Sequence, residues 1–148
     1  GQVRFFKRDG KGHDEESLRT EGEKVAELLR DLASEYGLDL SKAAYIGYSN
    51  GANMAANMLL NHDIPVAGAM LMHGAYKSGQ VGDVDLLGKK VLMTAGARDM
   101  VATAGEAYQL KQKLELKGAT VDVKLTDGGH EIVSEELMEG HIWYLRVK

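Results

Sequence analysis

The stretch Ala44-Tyr45-Ile46-Gly47-Tyr48-Ser49-Asn50-Gly51-Ala52-Asn53-Met54 decides how this chain is read. A short apolar run ends in Gly-x-Ser-x-Gly and passes at once into an Ala/Met-rich segment with helical spacing, which predicts strand, sharp turn and helix. Ser49 stands at the apex. Such a turn crowds its flanks against the strand and the helix, and Gly47 and Gly51 supply the small residues it needs. A serine hydroxyl raised in this way can meet a base brought in from elsewhere. It also lies at a helix N-terminus, where backbone N–H groups and the macrodipole favour developing negative charge. The five-residue pattern recurs by chance, so its meaning depends on what the rest of the chain supplies.

Downstream, Val66 to Met72 reads as a second apolar strand with His73-Gly74 at its C-terminal end, and Ala75 to Gly88 as irregular structure. Val91 to Ala95 is a third strand, followed by Gly96-Ala97-Arg98-Asp99-Met100. Thr103 to Lys117 carries Ala107, Leu110 and Leu114 on one helical face, with Gly118 as its cap. Thr120 to Leu125 alternates apolar with polar residues and reads as a strand near a sheet edge. A turn, Thr126-Asp127-Gly128-Gly129-His130, precedes a last helix from about Val133, with Leu137, Met138, Ile142, Trp143 and Leu145 as its apolar residues.

Upstream, Asp14-Glu15-Glu16-Ser17 has the acidic first turn of a helix start. Leu18, Val25, Leu28, Leu29, Leu32 and Tyr36 recur at helical spacing to Gly37, predicting a helix that lies on a sheet. The near-continuous apolarity of 43–48 suits a parallel strand covered on both faces. Near the start, Val3, Phe5 and Phe6 alternate with Arg4, Lys7 and Arg8, as an edge strand or a loop folded over a pocket.

Strand and helix in alternation imply a parallel sheet with helices on both faces, a three-layer α/β/α arrangement. Ligands in such sheets meet the C-terminal ends of the strands. The residues just past those ends are Ser49, His73, Asp99 and His130: a nucleophile, an acid and two imidazoles.

Composition narrows the classes further. The chain has 148 residues, 44% hydrophobic and 27% charged, which suits one globular domain. A formal charge of -4, a pI near 5.7 and the lack of a Lys/Arg block argue against nucleic acid as a partner. No apolar stretch approaches the roughly 18 residues of a membrane span, and no charged-then-apolar leader opens the sequence. Without cysteine there is no disulfide framework, no thiolate catalysis and no Cys-based zinc site, and a reducing cytoplasm is the expected location. His13, His62 and His141 are scattered without ligand spacing, so no metal is expected, nor any other cofactor.

The order Ser, then Asp after the third strand, then His after the fourth is that of an α/β-hydrolase triad. Gly47-Tyr48-Ser49-Asn50-Gly51, Ala95-Gly96-Ala97-Arg98-Asp99 and Gly128-Gly129-His130 together resemble the α/β-hydrolase superfamily, in its small carboxylesterase/phospholipase branch that includes acyl-protein thioesterases and dienelactone hydrolase-like enzymes. Arg4-Phe5-Phe6 also resembles part of that branch ahead of the nucleophile. The resemblance implies that Ser49 attacks an ester or thioester carbonyl, that His130 takes and returns its proton, and that Asp99 orients His130. It implies the backbone N–H of Asn50 as one oxyanion donor. Asp99 as a mere helix cap and Asp127 as the acid are the competing assignments. Phe5, Phe6, His73, Met100, Val101 and Ile132 are candidates for the substrate pocket, with core packing as the alternative for the apolar ones and simple hydrogen bonding as the alternative for His73.

The resembled fold has a further N-terminal half-sheet, one loop of which supplies a second oxyanion N–H. Nothing in residues 1 to 43 matches that loop. The expectation is therefore a single domain over 1–148 corresponding to the C-terminal part of an α/β-hydrolase fold, with the strand before Ser49 at or near an open sheet edge. Such an edge invites pairing with another copy, and a non-catalytic, self-associating unit is the alternative to a hydrolase of small esters or thioesters.

Overall fold

The computed structural model describes residues 15–79 and 81–147, together with the backbone of 8–9 and 12–13. Arg8–Asp9 (β1) and Gly12–His13 (β2) form a short antiparallel ladder. The side chains of Phe5, Phe6 and His13, and the expectations attached to them, lie outside the described residues.

Glu15–Tyr36 forms α1, with Glu15 and Glu16 in its first turn where the macrodipole favours carboxylates. Gly37 ends it at φ 63°, a left-handed conformation that glycine adopts without a Cβ penalty. Ala44–Tyr48 (β3), Gly68–Met72 (β4), Lys90–Gly96 (β5) and Thr120–Thr126 (β6) are the four strands read from the sequence. All three pairings are parallel, in the spatial order β3-β4-β5-β6. Asn50–Asn61 (α2), Ala104–Leu116 (α3) and Ser134–Val147 (α4) are the other α-helices among the described residues, and a short 3-10 turn, Leu40–Lys42, leads into β3.

The sheet separates two apolar layers. On one face, Ala69, Leu71, Val91, Met93 and Val121 pack with α2 and α3 residues such as Ala56, Leu59, Leu110 and Leu114. On the other, Met70, Met72 and Leu92 meet Trp143 of α4. This is the three-layer α/β/α arrangement expected. Met54 and Met58 are core residues, and α2 is buried from Ala52 through Leu60. No helix among the described residues is long and apolar enough to cross a membrane.

Three expectations change. α1 packs chiefly on α2 rather than on the sheet. Its buried stripe is Leu18, Gly22 and Ala26, and Asn57 of α2 donates to the Leu18 carbonyl at 3.1 Å across the contact. Leu28 and Tyr36, counted as part of its apolar face, are exposed. β3 is an edge strand among the described residues, as expected for the strand before Ser49, and for that reason it is not covered on both faces as its apolarity suggests: its Ile46 is 63% exposed. On α4 the buried residues are Glu136, Gly140 and Trp143, while Leu137, Met138, Ile142 and Leu145 face solvent. Gly140 is inside because the helix runs so close to the sheet that a Cβ there would stand 2.4 Å from Met70.

Candidate active site

β3 ends at Tyr48 and α2 begins at Asn50, leaving Ser49 alone to make the turn. Its backbone sits at φ 55°, ψ −117°, a conformation of the kind that costs of order 1–3 kcal/mol and persists only where the surroundings impose it. Gly47 shows how tight the surroundings are: a Cβ there would lie 2.5 Å from the carbonyl carbon and oxygen of Gly51. The Ser49 N–H donates to the Met72 carbonyl at 2.9 Å, so it extends the sheet ladder and is not offered to a ligand. The neighbouring strand ends are hooked in the same manner, His73 N–H to the Thr94 carbonyl at 3.0 Å and Ala97 N–H to the Thr126 carbonyl at 2.9 Å.

Asp99 lies in the loop after β5. Its Oδ1 accepts from the N–H groups of Val101 and Ala102 at 2.8 and 2.9 Å, and its Oδ2 faces His130 Nδ1 at 2.7 Å. α3 has its own cap, a capping box of Thr103 and Glu106. Asp99 therefore braces the approach to the helix and is not the cap residue. Burial alone would push its carboxyl up, but the His130 hydrogen bond, the Ala102 and Val101 N–H groups and His73 outweigh that and hold it down at about 2.

The loop after β6 carries His130 to this carboxylate. Gly96 at the end of β5 makes room for it, since a Cβ there would lie 2.1 Å from the Gly129 carbonyl oxygen. Arg98 fastens the loop twice, through its N–H to the Gly128 carbonyl at 3.0 Å and its Nε to the Asp127 carbonyl at 2.6 Å. Tyr48 adds a third point, its hydroxyl donating to the His130 carbonyl at 2.7 Å. That hydroxyl is held in its neutral, donating form, because burial and the Asp99, Glu131 and Glu136 carboxylates all push its pKa up. Thus positioned, His130 Nε2 stands 2.9 Å from Ser49 Oγ. Asp127, the competing acid, is exposed, and Nδ1 of His130 is turned to Asp99.

Of its two readings, His73 takes the hydrogen-bonded one. It does not line a substrate pocket: its side chain is fully buried, with Nδ1 3.1 Å from Asp99 Oδ2 and Nε2 2.8 Å from both oxygens of Glu136. Sequence reasoning misses Glu136 altogether. It is buried in the first turn of α4, accepts from Thr94 Oγ1, and reaches back to the Val133 N–H at 3.0 Å, completing half of a capping box. Its spacing with Gly140 and Trp143 is the one local sign of its inward position. His73, Asp99 and His130 offer metal-capable atoms within 4.8 Å of one another, but both Nδ1 atoms are directed at Asp99 Oδ2. Met100, Val101 and Ile132, for which core packing is the alternative, are solvent-exposed beside Asp99 and His130, Met100 at 89%.

The profile of the dienelactone hydrolase family matches residues 8–134. The chain belongs to that family. A relative named as the putative hydrolase MhqD, from Bacillus subtilis (strain 168), is 31% identical over 145 residues, 97% of this chain and 72% of its own length. A Bacillus cereus carboxylesterase superposes with a TM-score of 0.91 at 33% identity, over 98% of this chain and 69% of that one. A carboxylesterase from Mesorhizobium loti gives 0.89 at 30% identity, over 97% and 68%. The four-stranded parallel sheet with flanking helices is the α/β-hydrolase-like fold of these carboxylesterases, and this member of the dienelactone hydrolase family is a hydrolase by kinship.

Proposed function

We propose that the chain is a serine carboxylesterase that cleaves small carboxylic esters or thioesters through an acyl-enzyme. The observation that carries the reading is the continuous row from Ser49 Oγ to His130 Nε2 at 2.9 Å and from His130 Nδ1 to Asp99 Oδ2 at 2.7 Å. In that geometry the imidazole takes the hydroxyl proton as Oγ attacks the carbonyl carbon, then returns it to the departing alcohol or thiol. Water repeats the sequence on the acyl-enzyme and restores Ser49. Asp99 fixes the ring tautomer and stabilises the imidazolium between the two steps.

The backbone N–H of Asn50, at the N-terminus of α2 directly after the nucleophile, is the oxyanion donor in this reading. Exposed Met100, Val101 and Ile132 border the row and form the apolar rim that meets the acyl group. The carboxylesterases that share the fold support an ester as substrate.

The test is covalent labelling. A fluorophosphonate probe should modify Ser49 and turnover of p-nitrophenyl acetate should accompany it, with Ser49→Ala abolishing both. Equal labelling of the wild type and Ser49→Ala would remove the nucleophile from the proposal. A stable oligomer that neither labels nor turns over would instead mark the non-catalytic, self-associating unit.

A further inference from the structure

His73 is buried with a carboxylate at each ring nitrogen: Asp99 Oδ2 at 3.1 Å from Nδ1, and Glu136 at 2.8 Å from Nε2. An ionised carboxylate only accepts hydrogen bonds, so each contact is satisfied by an N–H, and two N–H groups on one ring make it an imidazolium. We propose that His73 is a buried imidazolium, held by Glu136, that positions Asp99 and tunes the basicity of His130. The proposal rests on the reading of Ser49, His130 and Asp99 given above.

The surroundings of Glu136 support its ionised form. Its Oε1 accepts from the Val133 N–H, its Oε2 from Thr94 Oγ1, and it lies in the first turn of α4 where the macrodipole favours negative charge. With a neutral His73, two carboxylates would share one buried ring. A proton on that ring leaves the group with a single net negative charge, which a low-dielectric interior tolerates far better. Backbone geometry points the same way. Ser49 and His73 are the two non-glycine residues with positive φ among the described residues, His73 at 53°, so the chain accepts strain to aim both side chains.

The charged and titratable groups around His73 come from four directions. Asp99 faces it from the loop after β5 and Glu136 from α4. The His130 ring meets it edge-on at 5.7 Å from the β6 loop, and the Tyr48 ring at 5.9 Å from β3. Glu131, beside His130, is held below the usual carboxylate range chiefly by its own backbone N–H and that of Gly129, with smaller electrostatic pulls from Arg98 and then His73. Among these, His73 and His130 share one acceptor, Asp99 Oδ2. A cation on that oxygen draws on its negative charge and opposes protonation of His130. His73 is thus a positioning residue that acts through Asp99 and lowers the basicity of His130.

Glu136→Gln tests this with little change of shape. The side-chain amide it introduces can donate to His73 Nε2, which lets the ring become neutral while Nδ1–H still reaches Asp99. Ring 15N spectra should show two N–H groups on wild-type His73 at pH 7 and one in E136Q. The His130 titration followed in the same spectra, and the acid limb of Ser49 labelling by the fluorophosphonate, should move up by about half a unit to one unit in E136Q. A purely structural role would lower stability and move neither. A neutral His73 ring in the wild type overturns the proposal, as does an unshifted His130 in folded E136Q. If E136Q does not fold, the wild-type spectrum alone decides. Absence of Ser49 labelling would strike the hydrolase reading, while the ring spectra still settle the charge of His73.

Discussion

The hydroxyl of Tyr48 donates to the backbone carbonyl of His130 at 2.7 Å, so the residue preceding Ser49 fastens the loop whose imidazole faces Ser49. Tyr48→Phe removes this one bond and keeps the ring contacts to His73 and His130. A hydrogen bond of this kind contributes about 0.5–1.5 kcal/mol, so the melting temperature should fall only slightly. Turnover should fall several-fold, because the freed loop holds His130 less firmly. Unchanged kcat with p-nitrophenyl acetate would show that the two Arg98 contacts hold the loop without Tyr48.

Asp99 makes stability depend on acid. Its carboxyl is held at about 2, against 3.8 for an ordinary aspartate. Because the folded value is the lower one, the ionised form stabilises the fold fully above about pH 4. That contribution is lost as pH falls through about 2, and amounts to ~2 kcal/mol. Urea unfolding of the wild type minus that of Asp99→Asn should show this difference shrinking steadily below about pH 4. At neutral pH, Asp99→Asn should lower turnover by a factor of about 10³ to 10⁴, the cost of a base held in the wrong tautomer.

Two glycines should respond differently to alanine. At Gly96 the added carbon meets backbone, the carbonyl oxygens of Gly129 and Gly128, so the His130 loop has to move. Gly96→Ala should cost about 1–3 kcal/mol and depress activity more than stability. At Gly140 the added carbon meets the flexible end of Met70, which can swing aside, and alanine favours the helix by about 0.5–1 kcal/mol. Gly140→Ala should therefore lie within about 1 kcal/mol of wild type in thermal unfolding.

Much of this arrangement is written locally in the chain. Gly47 and Gly51 announce the turn at Ser49, the strands show as apolar runs, and the strand-end rule brings Ser49, Asp99 and His130 to one rim. The failures have physical causes. Apolar content alone cannot distinguish an inner strand from an edge one, because both record hydrophobic partners and neither records how many; the edge position of β3 is legible only in the lack of any match between residues 1 to 43 and the loop of the resembled fold. The face of α4 is misread because large apolar residues suggest a buried side, whereas close approach to the sheet puts Gly140 and Glu136 there. His73 resists placement because its role depends on Glu136, 63 residues further along, and one histidine carries no local mark of such a partner.

The hooks at the strand ends, Ser49 onto Met72, His73 onto Thr94 and Ala97 onto Thr126, are all main-chain bonds from one strand's end to its neighbour's. The Met72 carbonyl and the His73 N–H belong to one peptide group, so the first two hooks pull on a single rigid plane and tie the turns at Ser49 and His73 to each other.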